Sequence, residues 1–203
     1  MLVLFVFTQA RGQEPVPGVK TFQHAHAELD AGHAWQAQRL FERAIDEGFP
    51  EASGYRALAE AYLALDNRLF DARRALERSL AADSNDVATW YRLAEVNLRL
   101  GGMDAENRAR HALREVLRLD PDYGEAFDRW RRLYLDRKDA RRVAAILGTH
   151  LDGSYRPEVA LRRIDVLHDS GAYEEARSGS WSGSSGMPVR EASISPHGPT
   201  TWA

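Results

Sequence analysis

Between Trp90 and Pro121 the chain reads WYRLAEVNLRLGGMDAENRARHALREVLRLDP. Apolar residues return every three or four positions on both sides of the glycine pair, the period of two amphipathic helices joined by a turn. Such a hairpin buries one face and leaves the other bare, so the next hairpin must cover it. The neighbouring segments repeat the same pattern. TFQHAHAELDAG with HAWQAQRLFERAIDEGFP, and ASGYRALAEAYLALDN with LFDARRALERSLAADS, come before; EAFDRWRRLYLDRKD with ARRVAAILGTHLDG comes after, and PEVALRRIDVLHDSGAYEEAR opens a fifth copy. Starts at Gly18, Ala52, Val87, Gly124 and Pro157 divide the chain into units 18–51, 52–86, 87–123, 124–156 and a partial 157–177. The starts recur at about 34 residues, a spacing that belongs to stacked helical hairpins.

In such a stack each unit contacts only its neighbours, so the array itself is the core. Leu93, Ala94, Val96, Leu98 and Leu100 form the apolar face of the third unit, and the small Ala59 and Ala94 let adjacent helices approach closely. The segment GGMDAEN, between Leu100 and Arg108, is about three residues longer than the other turns. It is expected to bulge from the loop edge, where added length costs little.

These residues carry a family resemblance. The chain resembles the tetratricopeptide repeat (TPR) proteins, whose pattern is W-x2-L-G-x2-Y, then A-x3-F, then P. Tyr55, Leu58, Ala59 and Tyr62 match the first helix in the second unit, and Ala72 and Leu76 the second helix. Trp90, Leu93 and Ala94 match in the third unit, with Ala109, Leu113 and the closing LRLDP through Pro121. Ala37, Phe41 and Ala44 match in the first. Phe127, Trp130 and Tyr134 echo the pattern in the fourth, where Arg131 occupies the place of a small residue, and SGAYEEAR resembles the turn and second-helix start in the fifth. The resemblance covers about Val19 to Arg177 and implies an all-α fold, a right-handed solenoid of helix–turn–helix units.

Both ends depart from this texture. MLVLFVFTQA is an apolar run far shorter than the roughly 20 residues that span a bilayer. It reads either as the h-region of a secretory signal, with Thr8 and Ala10 placed for cleavage but no basic residue before Arg11, or as a greasy strap. The first reading implies a periplasmic or secreted protein, the second a cytoplasmic one. Arg11–Gly18 reads as an extended linker, since Pro15 and Pro17 disfavour helix, so 1–17 form a signal and linker segment. After Arg177 the sequence is rich in Ser, Gly and Pro without helical period, and 178–203 reads as a disordered tail. The break falls where a second helix of the fifth unit should begin. Either the array is cut short there, or the helix opening at Pro157 is a terminal cap, polar outside through Arg162, Arg163, Asp165 and Asp169.

Function classes fall away on chemistry. The chain has no cysteine, which excludes disulfides, thiolate nucleophiles and cysteine zinc sites. A net charge of −3 offers no general basic field for nucleic acid. Walker, GxGxxG, HExxH and GxSxG patterns are absent, and GSWSG and GSSG in the tail lack a strand–turn–helix setting. His24, His26 and His33 are the only close histidines, and no third ligand accompanies His26 and His33. Glu174, Glu175, Asp120 and Asp122 sit at turns and helix ends, where carboxylates are ordinarily solvated. The reading is a protein without catalytic residues, cofactor or metal, and without a small-molecule or nucleic-acid ligand.

What remains is recognition of a protein or peptide partner. In the TPR family the first helices of successive units line a concave groove. Matching those positions gives Phe22 and His26, then Arg56, Glu60 and Leu63, then Tyr91, Glu95 and Leu98, and then Asp128, Arg132 and Leu135. None is Lys or Asn, the residues with which co-chaperone members clamp a C-terminal carboxylate, so the resemblance does not extend to that ligand. The set is mixed in charge with an apolar strip, Leu63–Leu98–Leu135, suited to a peptide with apolar anchors and a few charges. The expected function is an interaction scaffold in a bacterial envelope or secretion complex. The alternative is a non-catalytic arm of a larger multidomain enzyme.

Overall fold

The computed structural model describes residues 16–65, 67–133, 137–151, 156–169 and 171. The N-terminal apolar run, the Ser/Gly/Pro-rich tail, Glu174, Glu175, Tyr134 and Leu135 lie outside the described residues. Among those described, nine α-helices follow one another and no strand occurs. They are α1 (Val19–Asp30), α2 (Ala34–Asp46), α3 (Glu51–Leu63), α4 (Leu69–Ala82), α5 (Val87–Leu100), α6 (Met103–Leu119), α7 (Gly124–Leu133), α8 (Arg137–Thr149) and α9 (Pro157–Asp169). From α1 to α7 each helix packs on the next, α6 also touches α8, and α8 packs on α9. The chain is thus an all-α solenoid.

The turns explain why the helices stop where they do. At Gly32 and Gly48, with φ of 82° and 94°, the chain enters the left-handed region that disfavours a side chain. Around Gly48 the Phe49 amide donates to the Ala44 carbonyl and the Gly48 amide to the Ile45 carbonyl, both at 2.9 Å, closing the helix end. The second and third units end differently, on an aspartate. Asp83 Oδ1 accepts from the Asn85 amide and Asp120 Oδ1 from the Asp122 amide, each at 3.0 Å, turning the chain toward the next unit.

The seam between helices is built from small residues and a few large ones. Ala37, Ala59, Ala72, Ala94, Ala109 and Ala126 are fully buried, and Phe41, Leu76, Leu113, Val116 and Trp130 fill the spaces between them. One cluster runs from Ala59 to Leu167; a smaller one joins the first hairpin to α3. Gly54 marks a close approach of α3 to α2, since a methyl group on it would lie 2.6 Å from Ile45 Cγ1. Two of the buried polar side chains bond to backbone: Ser79 Oγ donates to the Ala52 carbonyl at 2.7 Å and Asn97 Nδ2 to the Leu93 carbonyl at 2.8 Å.

The long turn of the third unit is not a bulge. Ala37 and Ala72 stand three residues after the first residues of α2 and α4, Ala34 and Leu69, while Ala109 stands six after Met103. The added residues form one more helical turn at the start of α6, after Gly101 and Gly102 at φ 70° and 83°. A turn needs about 3.6 residues, so three added residues extend the helix at little cost in hydrogen bonding. Met103, 78% exposed, stands on this turn.

Candidate functional site

The first helices α3, α5 and α7 present their polar sides in succession, and their charges interlock. Arg92 on α5 donates to both carboxylate oxygens of Glu60 on α3, at 2.8 and 3.1 Å, and to Glu95 at 2.9 Å. Arg129 on α7 repeats the move, 3.0 Å from Glu95 and 3.3 Å from Glu125. The result is a ladder, Glu60–Arg92–Glu95–Arg129–Glu125, across three units. Around Arg92, burial works against the charged guanidinium, but Glu60 and Glu95 outweigh it and raise the group above its ordinary value. Arg56 reaches 2.8 Å to Asp86, which also caps α5 by accepting from the Thr89 amide and hydroxyl at 3.2 and 2.7 Å. Burial alone would raise the Asp86 carboxyl; the Thr89 bonds and Arg56 overcome it and hold the group below its usual value.

Beside the ladder lies a recess of about 370 Å³ floored by Leu63, Val96 and Leu98 and walled by Arg92, Glu95, Arg99 and Arg129. Leu63 and Leu98 are half-buried, leaving apolar surface at its base. Three guanidinium groups and one carboxylate line it; Arg92 and Arg129 are balanced by Glu60, Glu95 and Glu125, while Arg99 makes no ion pair among the described residues. This arrangement can accept an apolar side chain whose flanks carry negative charge. It has no pair of groups set for proton transfer or nucleophilic attack. Among the described residues no three His, Cys, Asp or Glu side chains gather to hold a metal ion.

The groove positions taken from the sequence separate into distinct fates. Leu63, Glu95 and Leu98 meet at the recess, Glu60 lies behind Arg92 in an ion pair, and Arg56 is paired with Asp86 and does not line the recess. Tyr91 is a correction: it is buried, 9% exposed, because Tyr123 packs 5.0 Å from its ring and Arg129 covers it at 5.0 Å. Burial, with Glu125 alongside, drives its hydroxyl far above the ordinary tyrosine value. Phe22 is likewise drawn into the first hairpin, stacked on Phe49 at 3.9 Å, while His26 sets its ring edgewise to Phe22 and Phe41. Asp128 and Arg132 are exposed on α7 and do not line the recess. Leu135 lies outside the described residues. His24 and His33 flank Glu28 at 3.4 and 2.8 Å.

Residue matching does not find Arg92, Arg99 and Arg129, because they lie between the positions the groove pattern names. One signal could have found two of them. Arg92 and Arg129 are 37 residues apart, the same step as Val87 to Gly124, and each precedes its groove position, Glu95 or Arg132, by three residues.

No family model matches the sequence, and no curated protein matches it in sequence. Solved structures do match the fold. The first TPR of Spaghetti (RPAP3), bound to the HSP90 peptide SRMEEVD, superposes with a TM-score of 0.51 at 16% identity, covering 58% of this chain and 92% of that one. MamA superposes with a TM-score of 0.53 at 15% identity, covering 79% of this chain and 86% of that one. With the alanine seam, the glycine and aspartate turns and the ladder of first helices in place, the chain has the fold of a tetratricopeptide-repeat solenoid.

Proposed function

We propose that this protein is a non-catalytic interaction scaffold that receives a peptide or protein segment in the recess over Leu63 and Leu98. The observation that carries the reading is the recess itself, with an apolar floor and, on its rim, the guanidinium of Arg99 beside the two arginines of the ladder. A partner fits it by inserting one apolar side chain while neighbouring carboxylates meet Arg99 and share Arg92 and Arg129. A solenoid presents such a surface on rigid helices, so little ordering is needed on its side of the complex. The superposed RPAP3 domain, which holds a peptide, supports the same class of partner.

The test is co-purification from the native source with the wild-type chain and with Leu98→Asp and Arg99→Glu. Neither side chain is fully buried on α5, so circular dichroism should remain that of the wild type. The partner identified by mass spectrometry with the wild type should be lost with Leu98→Asp and weakened with Arg99→Glu. An unchanged set of partners with both variants sinks the recess as the site. The proposed setting in a cell envelope rests on the N-terminal apolar run, and N-terminal sequencing of the mature protein tests it: retention of Leu2–Phe7 would remove the export reading.

A further inference from the structure

We propose that the cleft between α3 and α4, in the second unit, binds a phosphate-type oxyanion through Arg74, Arg78 and the Tyr55 hydroxyl. The cleft has a volume of about 160 Å³, far above the roughly 10–15 Å³ that one water requires, so a group of several heavy atoms fits. It is separate from the recess described above. Tyr55, Leu58 and Tyr62 line it, whereas Arg56, Glu60 and Leu63 lie roughly 140° away round the same helix at about 100° per residue.

The two arginines are held in unusual fashion for this chain. Arg56, Arg92 and Arg129 each lie within 3.0 Å of a carboxylate oxygen. Arg78 instead sits with its guanidinium carbon 5.4 Å from the centre of the Tyr55 ring and donates through Nη1 to the Tyr55 oxygen at 3.4 Å. The aromatic ring orients it without neutralising it. Because the Tyr55 oxygen accepts from Arg78, its own O–H remains to donate to a ligand. Arg74, one turn earlier on α4 and therefore on the same side, is exposed and makes no ion pair among the described residues.

The nearby acids are already engaged. Asp71 lines the cleft but is held by Arg68 Nε; Glu77 lies 3.5 Å from Arg73; and Glu42 accepts from the Tyr62 hydroxyl at 3.0 Å. Two guanidinium groups thus face one small cleft without a counter-charge of their own. Planar forks one turn apart suit the oxygens of a phosphoryl group, to which arginine bonds in bidentate fashion.

The third unit supplies an internal control. Trp90 replaces Tyr55 on the step that takes Leu58 to Leu93 and Ala59 to Ala94, and His111 and Glu115 replace Arg74 and Arg78 on the step that takes Ala72 to Ala109 and Leu76 to Leu113. There the indole lies 5.8 Å from the His111 ring and donates to the Ser84 carbonyl at 2.9 Å, while Glu115 holds Arg118 at 2.7 Å. In that unit the same place carries an internally paired set of side chains; in the second it is open and doubly positive.

The phosphoryl group has two sources, free phosphate or a phosphorylated side chain. Titration of the ¹⁵N-labelled full chain with inorganic phosphate, and separately with O-phosphotyrosine, distinguishes them at ionic strength held constant with sodium chloride. The side-chain Nε–H signals of Arg74 and Arg78 should shift saturably with at least one probe. Binding should be at least tenfold weaker in Arg74→Ala/Arg78→Ala, whose exposed positions leave the fold intact, and weakened in the milder Arg78→Gln. Tighter binding of inorganic phosphate assigns the site to the free ion, and tighter binding of phosphotyrosine assigns it to a modified partner. Arginine shifts that rise without saturating, or backbone amide shifts of the cleft residues that persist unchanged in the double variant, overturn the proposal.

Discussion

The ladder face, which spans three units, and the alanine seam beneath it belong to the same array and are made on opposite terms. On the ladder face, charges are exposed or half-exposed and pair across units, with Arg92 and Arg129 each linking one first helix to the preceding one. In the seam, Ala59, Ala94, Ala109 and Ala126 have no exposed surface, and Trp130 is sealed among them. Surface ion pairs contribute little net free energy because water and salt screen them; buried apolar contacts contribute in proportion to their area. The seam therefore holds the array together, and the ladder decides what the array shows to a partner. A surface can change its specificity freely when stability is located elsewhere.

Four substitutions would break or sharpen this division. Trp130→Ala empties the largest fully buried side chain and should cost about 3–5 kcal/mol by urea unfolding; a cost near that of a surface change would mean the seam is not the core. Ala94→Leu forces a larger group where no space exists and should cost roughly 1–3 kcal/mol, read as a fall in melting temperature. An unchanged melting temperature would show that the helix register is wrong.

Asp86→Ala removes both the cap of α5 and the partner of Arg56, with an expected cost near 1 kcal/mol at neutral pH. Because the folded carboxyl is held below its ordinary value, the contribution is complete above the unfolded value of about 3.9 and is lost as pH falls through the folded value. The difference between wild type and variant should thus shrink in acid, and a difference that persisted at low pH would assign the effect to packing. Arg92→Ala should cost least, under about 1 kcal/mol and less in high salt, while altering partner binding. A loss comparable with that of Ala94→Leu would erase the distinction between ladder and seam.

Legibility in the sequence divides along the same line. Ala59 and Ala94 declare themselves because a small residue recurring among leucines has few roles other than close approach, and both are fully buried. The glycine stops at Gly32 and Gly48 are legible because their φ values suit little else. Tyr91 is not legible as core. It succeeds Trp90 outside the period of Leu93 and Ala94, and Tyr123 and Arg129 from beyond helix α5 help to cover it. The ladder is hidden for a related reason: each rung between units joins residues some 32 to 34 positions apart, as in Glu60 with Arg92 and Glu95 with Arg129, and the angle between successive helices decides which charges meet. Local period fixes faces; the superhelix fixes partners.

The additional turn at the start of α6 carries a rule about editing this chain. Helical geometry counts length in steps of roughly 100° per residue, so removing Met103, Asp104 and Ala105 together would rotate the preceding attachment by about one full circle. Ala109, Leu113 and Val116 would still point into the seam. Removing one residue from the interior of the same helix would instead swing every earlier side chain by about a quarter turn and set a buried alanine against water. Length in this solenoid is in effect quantised, with three or four residues as the smallest interchangeable part. The first turn of α6 is the place where such a part has already been fitted.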